Sequence, residues 1–141
     1  MRRQDESGQV TAFVAIFMVA LIGLAGLVLD GGVALSARRR ATNEAQAAAR
    51  AGAEALDVAA YRRSGVSRLN QKDAKAAVAQ YMSDAHLSAK YSVSFNANDD
   101  VVVDENFDQP LNILGVFGVG SITARGHGSA RIAHGVVQEN Q

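Results

Sequence analysis

The sequence predicts an α+β chain: a long N-terminal transmembrane and amphipathic helix, a second short helix, and a small antiparallel sheet. Three observations predict it. Residues 9–29 are apolar and carry no charge. From Ala34 to Ala59 small residues recur every three or four positions. From Lys90 onward the apolar period changes from helical to two.

Residues 9–29 read QVTAFVAIFMVALIGLAGLVL, with Gln9 and Thr11 the polar side chains, both in the first turn. At about 1.5 Å of rise per residue, roughly twenty residues span the ~30 Å hydrocarbon core of a bilayer. A backbone in lipid must satisfy its own hydrogen bonds, so such a span is helical. A cleaved secretory signal is the competing reading, with small residues at Ala34 and Ser36 to suit a peptidase. A signal's apolar core runs about 7–15 residues, however, and this run is longer. The sequence therefore favours a retained single-pass anchor.

The helical pattern continues past Asp30. Ala34, Ala37, Ala41, Ala45, Ala48, Gly52, Ala55 and Ala59 fall on one face, while Arg40, Gln46, Arg50, Glu54 and Asp57 fall away from it. Alanine is the best helix former, and Gly31 and Gly32 are the weak points. The organisation expected is a cytoplasmic leader at 1–8, a transmembrane helix at 9–30, an extracytoplasmic amphipathic continuation at 31–60, and a small α+β domain at 61–141. Small side chains let another backbone approach closely. Ala41, Ala45, Ala48 and Gly52 are thus expected to contact either the chain's own domain or a neighbouring subunit. Asp30 reads as a hydrated stop to the apolar segment, or as a group that pairs with an assembly partner near the membrane surface.

Residues 61–69 read as a polar connector, and Asn70 as the N-cap of a second helix ending near His86. Tyr91, Val93 and Phe95 alternate with serines as a half-buried strand. NANDD at 96–100 is turn chemistry, and 101–107 is the returning strand. Residues 109–120 form an uncharged, glycine-rich apolar loop or short helix, expected to cover the core or to dock a partner. Residues 121–133 alternate cleanly: Ile122, Ala124, Gly126, Gly128, Ala130 and Ile132 on one side, Thr123, Arg125, His127, Ser129 and Arg131 on the other. Residues 134–141 read as a frayed tail.

The 141 residues balance 14 Lys and Arg against 14 Asp and Glu, so no strongly charged partner is implied. Nucleic acid is not a predicted partner, because one short arginine run has no aromatic stacking set beside it. The absence of cysteine excludes disulfides, thiolate metal sites and cysteine nucleophiles. Asn98, Asp99, Asp100, Asp104, Glu105 and Asp108 read as an acidic patch around the hairpin, without the spacing of a calcium loop. His86, His127 and His134 share no metal-ligand spacing. Gly115, Gly118 and Gly120 match no phosphate-binding fingerprint. No catalytic constellation, cofactor or metal is expected.

The run of residues 7–56 resembles the N-terminal module of TadE/TadG-like proteins of Tad (tight adherence, Flp) pilus assembly systems. The resemblance is carried by LAGLVLDGG, the cluster Arg38, Arg39 and Arg40, and the alanine-rich tract with Asn43 that ends ARAGAEAL. It implies a minor pilin or pseudopilin-like component, anchored in the cell membrane with its C-terminal domain outside. Its partners would be membrane lipid, other pilin-like subunits, assembly platform proteins and a prepilin peptidase. In prepilin-like members that peptidase cuts after a glycine just before the apolar helix, and the matching bond here is Gly8–Gln9. The fifth residue after that bond is a glutamate in those members and Phe13 here. The later helix and sheet order is compatible with a pilin-like body by analogy. By basic-residue count alone, Arg38, Arg39, Arg40 and Arg50 outnumber Arg2 and Arg3, which points the C-terminal part inward, against the orientation the resemblance implies. The alternative from another class is a membrane-tethered or secreted small binding domain whose N-terminal helix is only an anchor or signal.

Overall fold

A computed structural model describes residues 6–65, 67–85 and 89–132, with side chains from residue 8 onward. The expectations for the leader residues 1–5, for His86, and for His134 and the tail behind it lie outside these residues. The elements are α1 (Glu6–Ala53), α2 (Val58–Ser64), α3 (Gln71–Asp84), β1 (Lys90–Phe95), β2 (Val101–Pro110), a 3-10 helix (Leu114–Phe117) and β3 (Ser121–Ala130). The strands form one sheet in the order β1-β2-β3. The α+β architecture read from the sequence is the one observed. The chain divides into two compact units, Met1–Ser36 with Gln109–Ile122, and Ala37–Asp108 with Thr123–Gln141.

In the first unit, side chains along residues 9–29 of α1 are exposed, with Gly23 half-buried and Gly26 buried. The apolar loop 111–120 is closed at its mouth by the Leu111 N–H donating to the Gly120 carbonyl at 3.0 Å. Its 3-10 turn ends at Gly118, whose φ of 95° lies in the left-handed region that glycine enters without cost.

In the second unit, α1 and α3 pack on the inner face of the sheet. The core gathers Ala45, Ala48, Ala49 and Ala53 of α1, Ala74, Val78 and Met82 of α3, Val101 and Val103 of β2, and Ile132. The hairpin register places Val93 opposite Val103 and Phe95 opposite Val101. Its turn is tied by Asn96, whose Oδ1 accepts the N–H groups of Asn98 and Asp100, each at 2.9 Å. In β3 the residues predicted inward are the buried or half-buried ones, and Ile132 just beyond it is buried. Asn70 caps α3 as predicted, accepting from the Lys72 and Asp73 N–H groups.

The helix expected to run unbroken to Ala60 instead ends at Ala53. Residues 55–57 pair with the segment 68–70: the Asn70 N–H donates to the Ala55 carbonyl at 3.0 Å and the Asp57 N–H to the Arg68 carbonyl at 2.9 Å. The Asp57 carboxylate then accepts the Ala60 N–H at 2.8 Å and starts α2 afresh. Part of the predicted polar connector is therefore helical, and α2 stops at Gly65, where φ is 69°.

Candidate functional site

Asp30 is the best-built polar feature of the first unit. It is 2% exposed. Three successive backbone N–H groups converge on its carboxylate: Asn112 on Oδ1 at 3.2 Å, and Ile113 and Leu114 on Oδ2 at 3.0 and 2.6 Å. These amides would otherwise be the unpaired donors at the start of the 3-10 turn. A charged acceptor makes each bond stronger than a neutral one would be. The expectation of a hydrated stop is thus corrected, because the carboxylate is buried and held by this chain's own loop. One turn nearer the N-terminus the Ile113 side chain lies on Gly26, where a Cβ would stand 3.2 Å from Ile113 Cβ and closer still to its Cγ2. Gly26 is glycine so that the loop can seat there.

The other feature of this unit is an apolar surface. Phe13, Ile16 and Val28 are 68%, 72% and 69% exposed, and Phe13 stacks on Phe17 at 6.1 Å between ring centroids. This part of α1 is long and apolar enough to cross a membrane. Gly8 and Gln9 lie in the first turns of α1, both exposed.

In the second unit Ala41, Ala45 and Ala48 have no exposed surface. A Cβ on Gly126 would overlap the Ala41 carbonyl, and one on Gly128 would overlap Ala45 and Gln46 backbone atoms. Gly52 faces Val78 and Val101, at 2.8 and 3.0 Å from its notional Cβ. Of the residues expected at assembly contacts, these four are therefore occupied within the chain.

The acids around the hairpin are not one patch. Asp104 and Asp108 lie on the outer face of β2, each facing a residue of β3, and Asp100 just before β2 meets Arg131 just after β3. Arg131 Nε donates to Asp100 Oδ1 at 2.8 Å, His127 Nδ1 lies 2.8 Å from Asp104 Oδ1, and Thr123 Oγ1 donates to Asp108 Oδ1 at 2.8 Å. Arg131, with help from Asn96, holds the Asp100 carboxyl below its ordinary range. Glu105 turns the other way. It is 2% exposed, and neither carboxyl oxygen has a hydrogen-bond donor, nor does Oε2 of Glu44 beside it on α1. Burial, then the neighbouring Glu44 carboxyl, pushes Glu105 up to about 7, against the pull of Arg40. Arg40 itself bonds Glu44 Oε1 at 2.7 Å and lies over the Phe107 ring. Neither Glu44 nor the inward role of Glu105 was singled out from sequence. Among the described residues no group of three or more His, Asp or Glu side chains could hold a metal.

The described residues offer an apolar helix surface, a loop clamped at its end, and a small packed body. Residues 8–61 match the family model of Flp pilus-assembly TadE/G-like proteins, the Tad family. This segment of the chain is similar to that family. Searches of curated proteins and of solved structures found no match. The matched segment contains the apolar surface and Asp30, and the match supports a role related to the Tad pilus, with membrane association through α1.

Proposed function

We propose that this chain is a minor pilin or pseudopilin-like subunit of a Tad/Flp-type pilus or related secretion apparatus, acting as a structural component through helix–helix association. The observation that carries this reading is the uncharged, exposed surface of α1 over residues 10–29, inside the matched segment. A helix apolar around its whole circumference is stable in lipid or against other apolar helices. In lipid such helices associate by close van der Waals packing, without a hydrophobic driving force of their own. Because Ala41, Ala45, Ala48 and Gly52 are already packed inside the chain, the subunit contacts fall on the exposed residues of the span. Asp30 contributes by fixing the loop at its end.

In this reading the protein is single-pass, with the second unit outside the cell membrane. A C-terminal domain of this length translocates largely regardless of its arginines. The Gly8–Gln9 bond is the place for a prepilin peptidase.

N-terminal sequencing of the mature protein, with membrane fractionation, tests the proposal. A start at Gln9 in the membrane fraction supports pilin-type processing, and an intact Met1 there supports an unprocessed anchor. A start near Ala37 with release into the soluble fraction overturns it. A reporter fused after Gln141 that is active only in the cytoplasm overturns the orientation.

A further inference from the structure

Between Asp108 and Arg125 the chain carries no charge. The apolar side chains of this stretch divide into two sets. Leu111 is buried and Ile113 seats on Gly26. Val116, Phe117 and Val119, by contrast, are 83%, 55% and 48% exposed at the tip of the loop. Three amides of the tip are paired within it: Val116 N–H donates to the Ile113 carbonyl at 3.1 Å, Gly118 to Gly115 at 3.2 Å, and Val119 to Leu114 at 3.0 Å. Each amide paired internally lowers the cost of leaving water for a medium of low dielectric, and the interfacial zone still hydrates the remaining groups.

Position decides which medium. The loop is held by Asp30, the residue that ends the apolar run of α1, and Ile113 reaches back one turn into that run. Next to this anchorage Leu27, Val28 and Leu29 are 56%, 69% and 60% exposed. The apolar tip is thus continuous with the surface read as lipid-facing.

We propose that residues 111–120 form a membrane-inserting loop, with Val116, Phe117 and Val119 entering the interfacial zone of the leaflet where α1 leaves the bilayer. The occupant of this apolar surface is lipid. The protein then holds the membrane at two places, the span and the loop, and Asp30 fixes the angle between them. This inference rests on the reading of residues 9–29 as a membrane span.

The chain contains no tryptophan, so Phe117→Trp installs a single indole that can be excited beyond the absorption of the three tyrosines. The full chain would be reconstituted in phosphatidylcholine–phosphatidylglycerol vesicles containing lipid spin-labelled near the headgroup. Tyr61→Trp serves as an exposed reference on α2 and Leu21→Trp as a reporter of the span. The expected result is blue-shifted emission from Phe117→Trp, quenched severalfold more strongly by labelled lipid than Tyr61→Trp and severalfold less by aqueous iodide. Emission and iodide quenching equal to those of Tyr61→Trp, with Leu21→Trp shielded, overturn the loop alone. An unshielded Leu21→Trp overturns both the loop and the span. Shielding at Phe117→Trp that vanishes as the protein is diluted with lipid marks a neighbouring subunit as the occupant and also overturns the proposal.

Discussion

Gly128 of β3 lies directly on the backbone of Ala45 in α1, with no space for a Cβ between them, and Gly126 lies in the same way on Ala41. The pairs stay in step because of simple pitch. Two residues of strand advance about 6.7 Å and four residues of helix about 6 Å. A Gly-x-Gly strand therefore matches an Ala-x-x-x-Ala helix, and together they replace large core side chains with close backbone packing.

Gly128→Ala should destabilise the second unit by about 2–3 kcal/mol, the upper part of the range for an overpacked core. The obstacle is helix backbone and cannot swing aside like a side chain. Ser129→Ala, on the outer face, should stay within about 0.5 kcal/mol. Thermal unfolding of the full chain in detergent compares the two. Equal midpoints would show that the helix–strand approach is looser than described.

Asp30 predicts a local effect. Asp30→Ala removes the acceptor of three amides and should raise hydrogen exchange at Ile113 and Leu114 by about 10- to 100-fold, the loss of one to two charge-assisted bonds. Asp30→Asn, which keeps one oxygen acceptor, should fall between. Exchange at Val103, in the other unit's core, should not change. Unaltered exchange at Leu114 in Asp30→Ala would mean that the carboxylate does not hold the loop.

Much of this was legible in the chain because two periods were clean. The alternation through Ile122, Ala124, Gly126 and Gly128 could be read as an inner face without a structure, and the uncharged helix stood out by length. Asp30 was legible as a boundary, but its partners lie more than 80 positions away and leave no local mark. The end of α1 at Ala53 was hidden for a related reason. Residues 54–60 include no helix breaker, and pairing with residues 68–70 is what stops the helix. Glu105 was within reach: by proximity it joins the turn acids, whereas by strand parity it joins Val101 and Val103 on the buried side.

The outer face of the sheet should respond to acid. Asp100 is held below its ordinary value of 3.8, chiefly by the Arg131 hydrogen bond. A depressed carboxylate adds stability that is complete above the unfolded value and is lost as pH falls through the lower folded one. Arg131→Gln should therefore lower the unfolding midpoint at neutral pH, with the difference from the unaltered protein closing as Asp100 protonates below pH 3.8. A difference that persists undiminished in strong acid would assign the effect to packing of the arginine stem instead.

Glu105 predicts the opposite slope. Its value of about 7 stands above the ordinary 4.5, so between those limits the folded protein binds more protons than the unfolded chain. Stability from this group is complete below the unfolded value and is lost as pH rises through the folded one. The groups facing it explain why. Glu44 adds a second carboxyl, Arg40 is engaged with Glu44, and Tyr91 is its register neighbour on β1. A proton on Glu105, donated toward the Glu44 oxygens, supplies the donor that the unpartnered oxygens lack. Glu105→Gln keeps the shape, stays neutral and brings its own donors. It should match the unaltered protein near about pH 4 and exceed it near about pH 8 by about 1–3 kcal/mol, at about 1.4 kcal/mol for each unit of the shift. Denaturant unfolding in detergent at the two pH values measures the difference. If Glu105→Gln is less stable at both, the carboxyl pair is a structural contact that needs its charge, and the account of a protonated Glu105 is wrong.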